Sequence, residues 1–265
     1  MSTDAARAPA IELQGVVKRF GGVEVLRGVD LEVPAGEITV LLGPSGAGKT
    51  VTVSHVVGLI HPDRGVVRVE GEDVSRVTDA RLNELRQRMA VVLQGTLPFT
   101  CGLFFSLTVY ENVAFGLRQR NRLWSEARVN EATMTHLEMV GLRDRAQSMP
   151  DELSAGMCKR VAIARALALD ARIVIVDDFD SGIDGVRLGL LCEMLADAQQ
   201  EANATFLVTT HSMSAARRLA DHAAVISDGA IVQAGPADDV LGSEEPLVRQ
   251  LVTGATSGPI TLRDV

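Results

Sequence analysis

The octapeptide Gly43-Pro44-Ser45-Gly46-Ala47-Gly48-Lys49-Thr50 constrains this 265-residue chain more than any other feature. Its spacing is G-x-x-x-x-G-K-[ST], and it stands where an apolar run, Glu37 to Leu42, gives way to a helix-like stretch, Val51 to Ile60. Strand, glycine loop and helix in that order turn consecutive backbone N–H groups inward around an anion, and the positive end of the helix points at the same place. Lys49 adds a point charge for β- and γ-phosphates, and the Thr50 hydroxyl a ligand for Mg²⁺. A bare glycine turn is the competing account, and the flanking strand and helix weigh against it.

Metal on a bound phosphate needs a second, acidic element from a neighbouring strand. Ile173-Val174-Ile175-Val176 is apolar enough to lie inside a sheet and delivers Asp177 at its carboxyl end, where α/β folds bind ligands. Asp178 follows in the position of a general base; its alternative is a solvated loop carboxylate. His211 follows another buried strand, Thr205 to Thr209, and emerges at the same edge. A lone His is usually structural, but this one is placed to meet a γ-phosphate or an attacking water.

The rest of the chain sorts around these elements. Ile11 to Val17 and Val29 to Val33 read as alternating strands joined through Gly21-Gly22, an antiparallel start. From about Asp79 to Asp151, helix-like patterns (Ala80 to Arg88, Ser125 to Val140) mix with loop signals, as in a mostly helical insertion. Cys158 to Leu169 and Val186 to Ala202 read as helices between the buried strands, so right-handed crossovers and a parallel sheet are expected. Ala223 to Ile226 and Ala230 to Val232 flank Asp228-Gly229, a hairpin turn pair.

Aromatics are only 3% of a chain that is 46% apolar, so the core must be aliphatic, which suits a buried parallel sheet. With 26 Lys and Arg against 34 Asp and Glu, a net charge of -8 repels phosphate backbones and argues against nucleic acid as a partner. No apolar stretch approaches the roughly 20 residues that cross a bilayer, and Met1 to Ala10 lacks the apolar region of a secretory signal. Cys101, Cys158 and Cys192 have no CxxC spacing and fit free thiols in a reduced compartment.

Leu153-Ser154-Ala155-Gly156-Met157, then Lys159-Arg160 and Ala164-Arg165-Ala166-Leu167, then the acidic strand, is an order that resembles the ATP-binding-cassette (ABC) ATPases. The resemblance implies an α/β P-loop NTPase cassette: a mainly parallel sheet core, an antiparallel β subdomain and a helical subdomain at about 79–165. It places a disordered N-terminus at 1–10, the cassette at 11–242 and a tail at 243–265. Asp177 matches the Walker B carboxylate. Leu153 to Met157 resembles the LSGGQ signature, so that Ser154, Ala155 and Gly156 would cap the γ-phosphate held by an opposite subunit. Phe20 matches the aromatic that stacks on adenine, although a lone Phe is equally a core residue. Gln94 matches the Q-loop glutamine that reaches Mg²⁺, Ser181-Gly182-Ile183-Asp184 the D-loop, and His211 the switch histidine. ATP would therefore contact Gly43 to Val51, Phe20, Gln94, Ser154 to Gly156, Asp184 and His211. Thr50, Gln94 and Asp177 would hold Mg²⁺, and Lys49, Asp178 and His211 would carry the chemistry.

A narrower likeness lies in Leu103-Phe104, Ser106 to Val113, Gly156-Met157, Lys159-Arg160, Asp180 to Asp184, Pro246 to Leu251 and Gly258 to Ile260. These are similar to the ATPases of Mce/Mla-type lipid or sterol transport systems. They imply a homodimer, or a pseudo-dimer with a second cassette, on the cytoplasmic face of a membrane permease of the YrbE/MlaE kind. Mce substrate-binding proteins would be indirect partners. Three departures stand out: Asp178 replaces the family's catalytic Glu, Phe179 the following Pro, and Ala155 the first signature Gly. The stretch between Gln94 and Ser106 is also longer than the family pattern. Two accounts stay open, a slow but working ATPase and a cassette that binds ATP and acts structurally. A non-transport cassette of DNA repair or translation would need a coiled-coil insertion or a second cassette, and neither is in the sequence.

Overall fold

A computed structural model describes residues 8–93 and 102–260. The chain opens with a hairpin of β1 (Ile11–Phe20) and β2 (Val23–Val33). Its turn residues Gly21 and Gly22 both have positive φ (54° and 86°), as a two-residue turn matching the strand twist requires. Both strands run longer than the sequence pattern suggests. A register shift between Leu13 and Val16 interrupts the alternation, and the distal part is charged, with Arg19 paired to Glu24 across the hairpin at 2.6 Å.

After the hairpin come β3 (Ile38–Leu42), α1 (Lys49–Val56), β4 (Arg64–Val69), β5 (Glu72–Asp73), α2 (Asp79–Arg86) and β6 (Met89–Val92). Next are α3 (Val109–Arg120), α4 (Glu126–Met139), α5 (Ala155–Leu167), β7 (Ile173–Val176), α6 (Gly185–Ala202) and β8 (Thr205–Thr210). The chain closes with α7 (Met213–Leu219), β9 (His222–Ser227), β10 (Ala230–Pro236), α8 (Ala237–Leu241) and α9 (Pro246–Thr253).

Two sheets result. One is antiparallel, in the order β2-β1-β4-β5; the other runs β10-β9-β3-β8-β7-β6, parallel from β9 to β6 with β10 antiparallel at its edge. Every residue of β3, β7 and β8 is buried, as their unbroken apolar runs demand. Alternation divides them between two cores. Val40, Val174 and Val176 face the helical side with α3, α5 and α6. Leu41, Ile173 and Ile175 face α1 and the antiparallel sheet. Because β8 lies between β3 and β7, the carboxyl ends of these three strands open side by side on one edge.

The helical segment is fixed by local chemistry at its start. Thr108 and Glu111 form a reciprocal capping box on α3, with bonds of 3.1 and 2.8 Å. The buried Asn112 amide ties down the preceding loop through Phe104 and Leu107. The expected helical range 79–165 also contains β6, which is the edge of the parallel sheet; its strand character comes from pairing with β7. At the N-terminus, Ala10 is buried and bonds Val33 O at 2.9 Å, so the expectation of disorder to residue 10 is corrected at that residue. In the tail, α9 inserts Val248 fully into the helical-side core. Among the described residues, no helix is long and apolar enough to cross a membrane.

Candidate active site

The loop after β3, Asp177 and Asp178 after β7, and His211 after β8 meet around a cavity of about 270 Å³. It is lined by Ser45, Gly46, Gly48, Lys49, Thr50 and Val51 together with those three residues, all expected from the sequence, and by Val25 and Thr209, which were not. The glycines have steric work here. A Cβ on Gly43 would sit 2.2 Å from Ile226 O, and one on Gly48, whose φ is 108°, would sit 2.7 Å from Leu26 Cδ2. Ala47 is buried beneath the loop and Pro44 is half-buried. Lys49 Nζ donates to Gly43 O at 2.7 Å and Pro44 O at 2.9 Å. Burial lowers its pKa, while the facing carboxylates of Asp178, Asp177 and Asp180 favour the charged form.

Asp177 is fully buried. Its Oδ1 accepts the Thr209 hydroxyl at 2.6 Å, and its Oδ2 has no partner among the described residues. The same Thr209 oxygen accepts the Asp178 N–H at 2.8 Å, so one hydroxyl ties both acidic residues to the end of β8. Asp178 has φ +54°, a left-handed conformation that Asp tolerates better than most residues. Its carbonyl accepts from Lys159 Nζ, and its carboxylate lies 3.9 Å from that ammonium and 3.8 Å from His211 Nδ1. Phe179, where a Pro was the family expectation, is completely buried, and its N–H donates to Thr209 O at 2.9 Å, a bond that proline cannot make. Asp180, also buried, accepts from the Thr210 hydroxyl and lies 3.1 Å from His211 Nε2.

The signature residues form a different surface. Ser154 caps α5, its Oγ accepting the Met157 N–H at 3.3 Å. With Gly156, Gly182, Asp184 and Arg187 it borders a cavity of about 120 Å³ that has no lining residue in common with the first. Gly156 fits closely there, since a Cβ would lie 2.6 Å from Gly182 O. Ala155, half-buried, precedes it on the same turn. Asp184 caps α6 and pairs with Arg187 at 2.6 Å; those bonds lower its pKa. Phe20 stands half exposed at the end of β1, outside the first cavity's lining, with Lys18 Nζ 5.5 Å from its ring centroid. Gln94 lies outside the described residues.

Thr209, Thr210, Asp180 and Lys159 were given no site role from the sequence, although Lys159 and Asp180 stand in the family-like stretches. Thr209 and Thr210 were visible as polar residues closing a buried strand, and Lys159 as a cation on the apolar face of α5, but neither signal says what they meet.

A glycine cradle between a parallel strand and a helix, with a buried acid at the next strand but one, defines a P-loop nucleotide-binding protein. Residues 26–181 match the sequence profile of the ABC transporter family, well over half of the chain, and the chain belongs to that family as one of its cassette ATPases. It is 37% identical over 255 residues to the "Probable ribonucleotide transport ATP-binding protein mkl" of Mycobacterium leprae, covering 96% of this chain and 72% of that one. It is 33% identical to the "Intermembrane phospholipid transport system ATP-binding protein MlaF" of Escherichia coli K12, covering 97% of this chain and 93% of that one. A dimeric post-hydrolysis structure of the ATP-binding cassette MJ0796, bound to ADP and Pi, superimposes with a TM-score of 0.77 at 26% identity, covering 86% of this chain and 98% of that one. ABC cassettes bind ATP, form dimers and work with membrane permeases.

Proposed function

We propose that this chain is the ATP-hydrolysing subunit of an Mce/Mla-type lipid transport system, acting as a dimer on the cytoplasmic face of a YrbE/MlaE-type permease. The observation that carries the catalytic half is the meeting of Lys49, Asp177, Asp178 and His211 in one cavity at the mouth of the phosphate loop. Lys49 binds the terminal phosphates of ATP. Asp178 and His211, 3.8 Å apart, orient the attacking water and take up its proton. The orphaned Asp177 Oδ2 fits a divalent cation, since a buried carboxylate oxygen without a donor is otherwise unfavourable. Asp177 and Thr50, with Gln94, would hold Mg²⁺, which would supply positive charge to the phosphates of ATP.

The separation of the two cavities supports the dimeric reading. Ser154 and Gly156 do not line the phosphate site of their own chain, so the opposite copy supplies them, and ATP between the copies draws them together. That closure passes to the permease, and Mce proteins beyond it handle cargo. The lipid assignment is supported by the likeness to MlaF over nearly all of both chains. The name of the mkl protein points to ribonucleotides instead, which makes cargo part of the test.

A second reading, a cassette that binds ATP without turning it over, is favoured by one observation, the short carboxylate at Asp178. Steady-state ATPase of the complex assembled with its permease decides. Lys49→Ala sets the background, wild type is expected well above it, and Asp178→Glu is expected to raise turnover. Wild-type activity no higher than Lys49→Ala would sink the enzyme reading. ATP-driven movement of labelled phospholipid, but not of nucleotide, by proteoliposomes of the complex is the expected cargo result.

A further inference from the structure

Lys159 lies on α5, one and a half turns beyond Ser154, and only 6% of its side chain is exposed. An ammonium withdrawn that far from water must be matched by carbonyls or carboxylates. Among the described residues both its hydrogen bond and its ion pair go to Asp178: Nζ donates to the Asp178 carbonyl and lies 3.9 Å from Oδ2.

That carbonyl belongs to the left-handed residue. The φ of +54° at Asp178 is maintained by contacts on both of its peptides: its N–H on Thr209 Oγ1, its carbonyl on Lys159 Nζ, and the next N–H on Thr209 O. Losing Lys159 removes one of the two hydrogen bonds on the 178–179 peptide, leaving the Phe179 N–H on Thr209 O, and takes the ammonium from beside the carboxylate; the loosened turn would let the carboxylate shift from His211 Nδ1. A side chain one methylene short of Glu cannot recover that displacement by changing rotamer, so the backbone must do the reaching. The helix that brings Lys159 also brings Gly156 against Gly182, so α5 braces the 178–182 turn at two points.

We propose that Lys159 is a positioning residue for Asp178: it holds the turn that aims the carboxylate at the attacking water. It thereby makes hydrolysis at this chain's own phosphate loop depend on the seating of α5, whose N-terminus serves the nucleotide of the other copy. The proposal rests on the dimeric ATPase reading above and deepens it.

Mixed dimers test it. A dimer with one Lys49→Ala chain has a single working phosphate loop, on the other chain. Lys159→Met is placed either on the chain with the working loop or on the Lys49→Ala chain, and each dimer is assembled with the permease. On the working chain, kcat is expected to fall by about 10- to 100-fold while KM and fluorescent-nucleotide affinity stay within about twofold. On the Lys49→Ala chain the loss is expected to be about tenfold smaller, and Lys159→Arg on the working chain to restore most of the rate. An equal loss in both placements, a larger loss on the Lys49→Ala chain, or no loss on the working chain overturns the proposal. Lys159→Gln repeats the comparison if the Met variant lowers the thermal midpoint. Ser154→Ala in the same two placements reads the dimeric interpretation separately: a larger loss on the Lys49→Ala chain supports it, and the reverse overturns it.

Discussion

His211 presents Nε2 to Asp180 Oδ2 at 3.1 Å. The carboxylate is itself anchored by the Thr210 hydroxyl and by the His211 N–H at 3.4 Å, and the contact turns the ring's Nδ1 toward Asp178. A carboxylate behind an imidazole fixes both its rotation and its tautomer. Asp180→Asn keeps the shape and removes the charge. It is expected to lower kcat by roughly tenfold with KM for ATP unchanged, and His211→Ala by roughly 100-fold. Steady-state ATPase assays across ATP concentrations separate the two parameters.

Thr209→Val is close to isosteric yet removes the donor to Asp177 Oδ1 and the acceptor for the Asp178 N–H. Leaving buried polar groups unsatisfied costs roughly 1–3 kcal/mol each. The urea midpoint should fall accordingly, and divalent-dependent nucleotide binding should weaken. An unchanged midpoint would show that water replaces the hydroxyl.

Phe179→Pro restores the family residue but should harm this chain. It deletes the N–H bond to Thr209 O, empties a fully buried aromatic site, and disfavours compact backbone conformations at the preceding residue, Asp178. A loss of roughly 3 kcal/mol in urea unfolding is expected. Equal or greater stability would show that neither the Phe179 N–H bond nor its buried ring supports the fold.

His55, completely buried on α1, bonds Val51 O through Nδ1 at 2.7 Å, and its Nε2 has no partner among the described residues. Burial lowers its pKa; nearby Lys18 and His61 add to the effect, while the Val51 carbonyl and Asp63 oppose it. The unfolded chain therefore takes up the proton first, near the ordinary value of 6.5. Stability is full above that pH and declines as pH falls below it, until the folded protein protonates too. Urea midpoints compared between pH 7.5 and 5.5 should drop in wild type more than in His55→Leu.

Much of this arrangement was readable from short runs of residues. Glu37 to Thr50 and Ile173 to Asp178 each encode a buried strand and the loop at its carboxyl end, and strand order then brings those ends to one edge. The outer half of the first hairpin was not readable, because a register shift and charged outward side chains hide its alternation. Nor were the partners of the acids. Thr209 and Asp177 are 32 residues apart, and Lys159 and Asp178 are 19 apart; they meet only because β8 lies beside β7 and α5 beneath the turn. A residue type can announce a role, but not the neighbour that completes it.

The two cavities on one chain also bear on inheritance. When each copy lends its signature face to the other's nucleotide, a chain with a ruined Ser154 surface and an intact phosphate loop silences its partner rather than itself. In mixed dimers with the normal chain, substitutions around the smaller cavity should therefore disable the normal chain's phosphate loop and leave their own working, and two chains damaged in opposite cavities should together restore one working site.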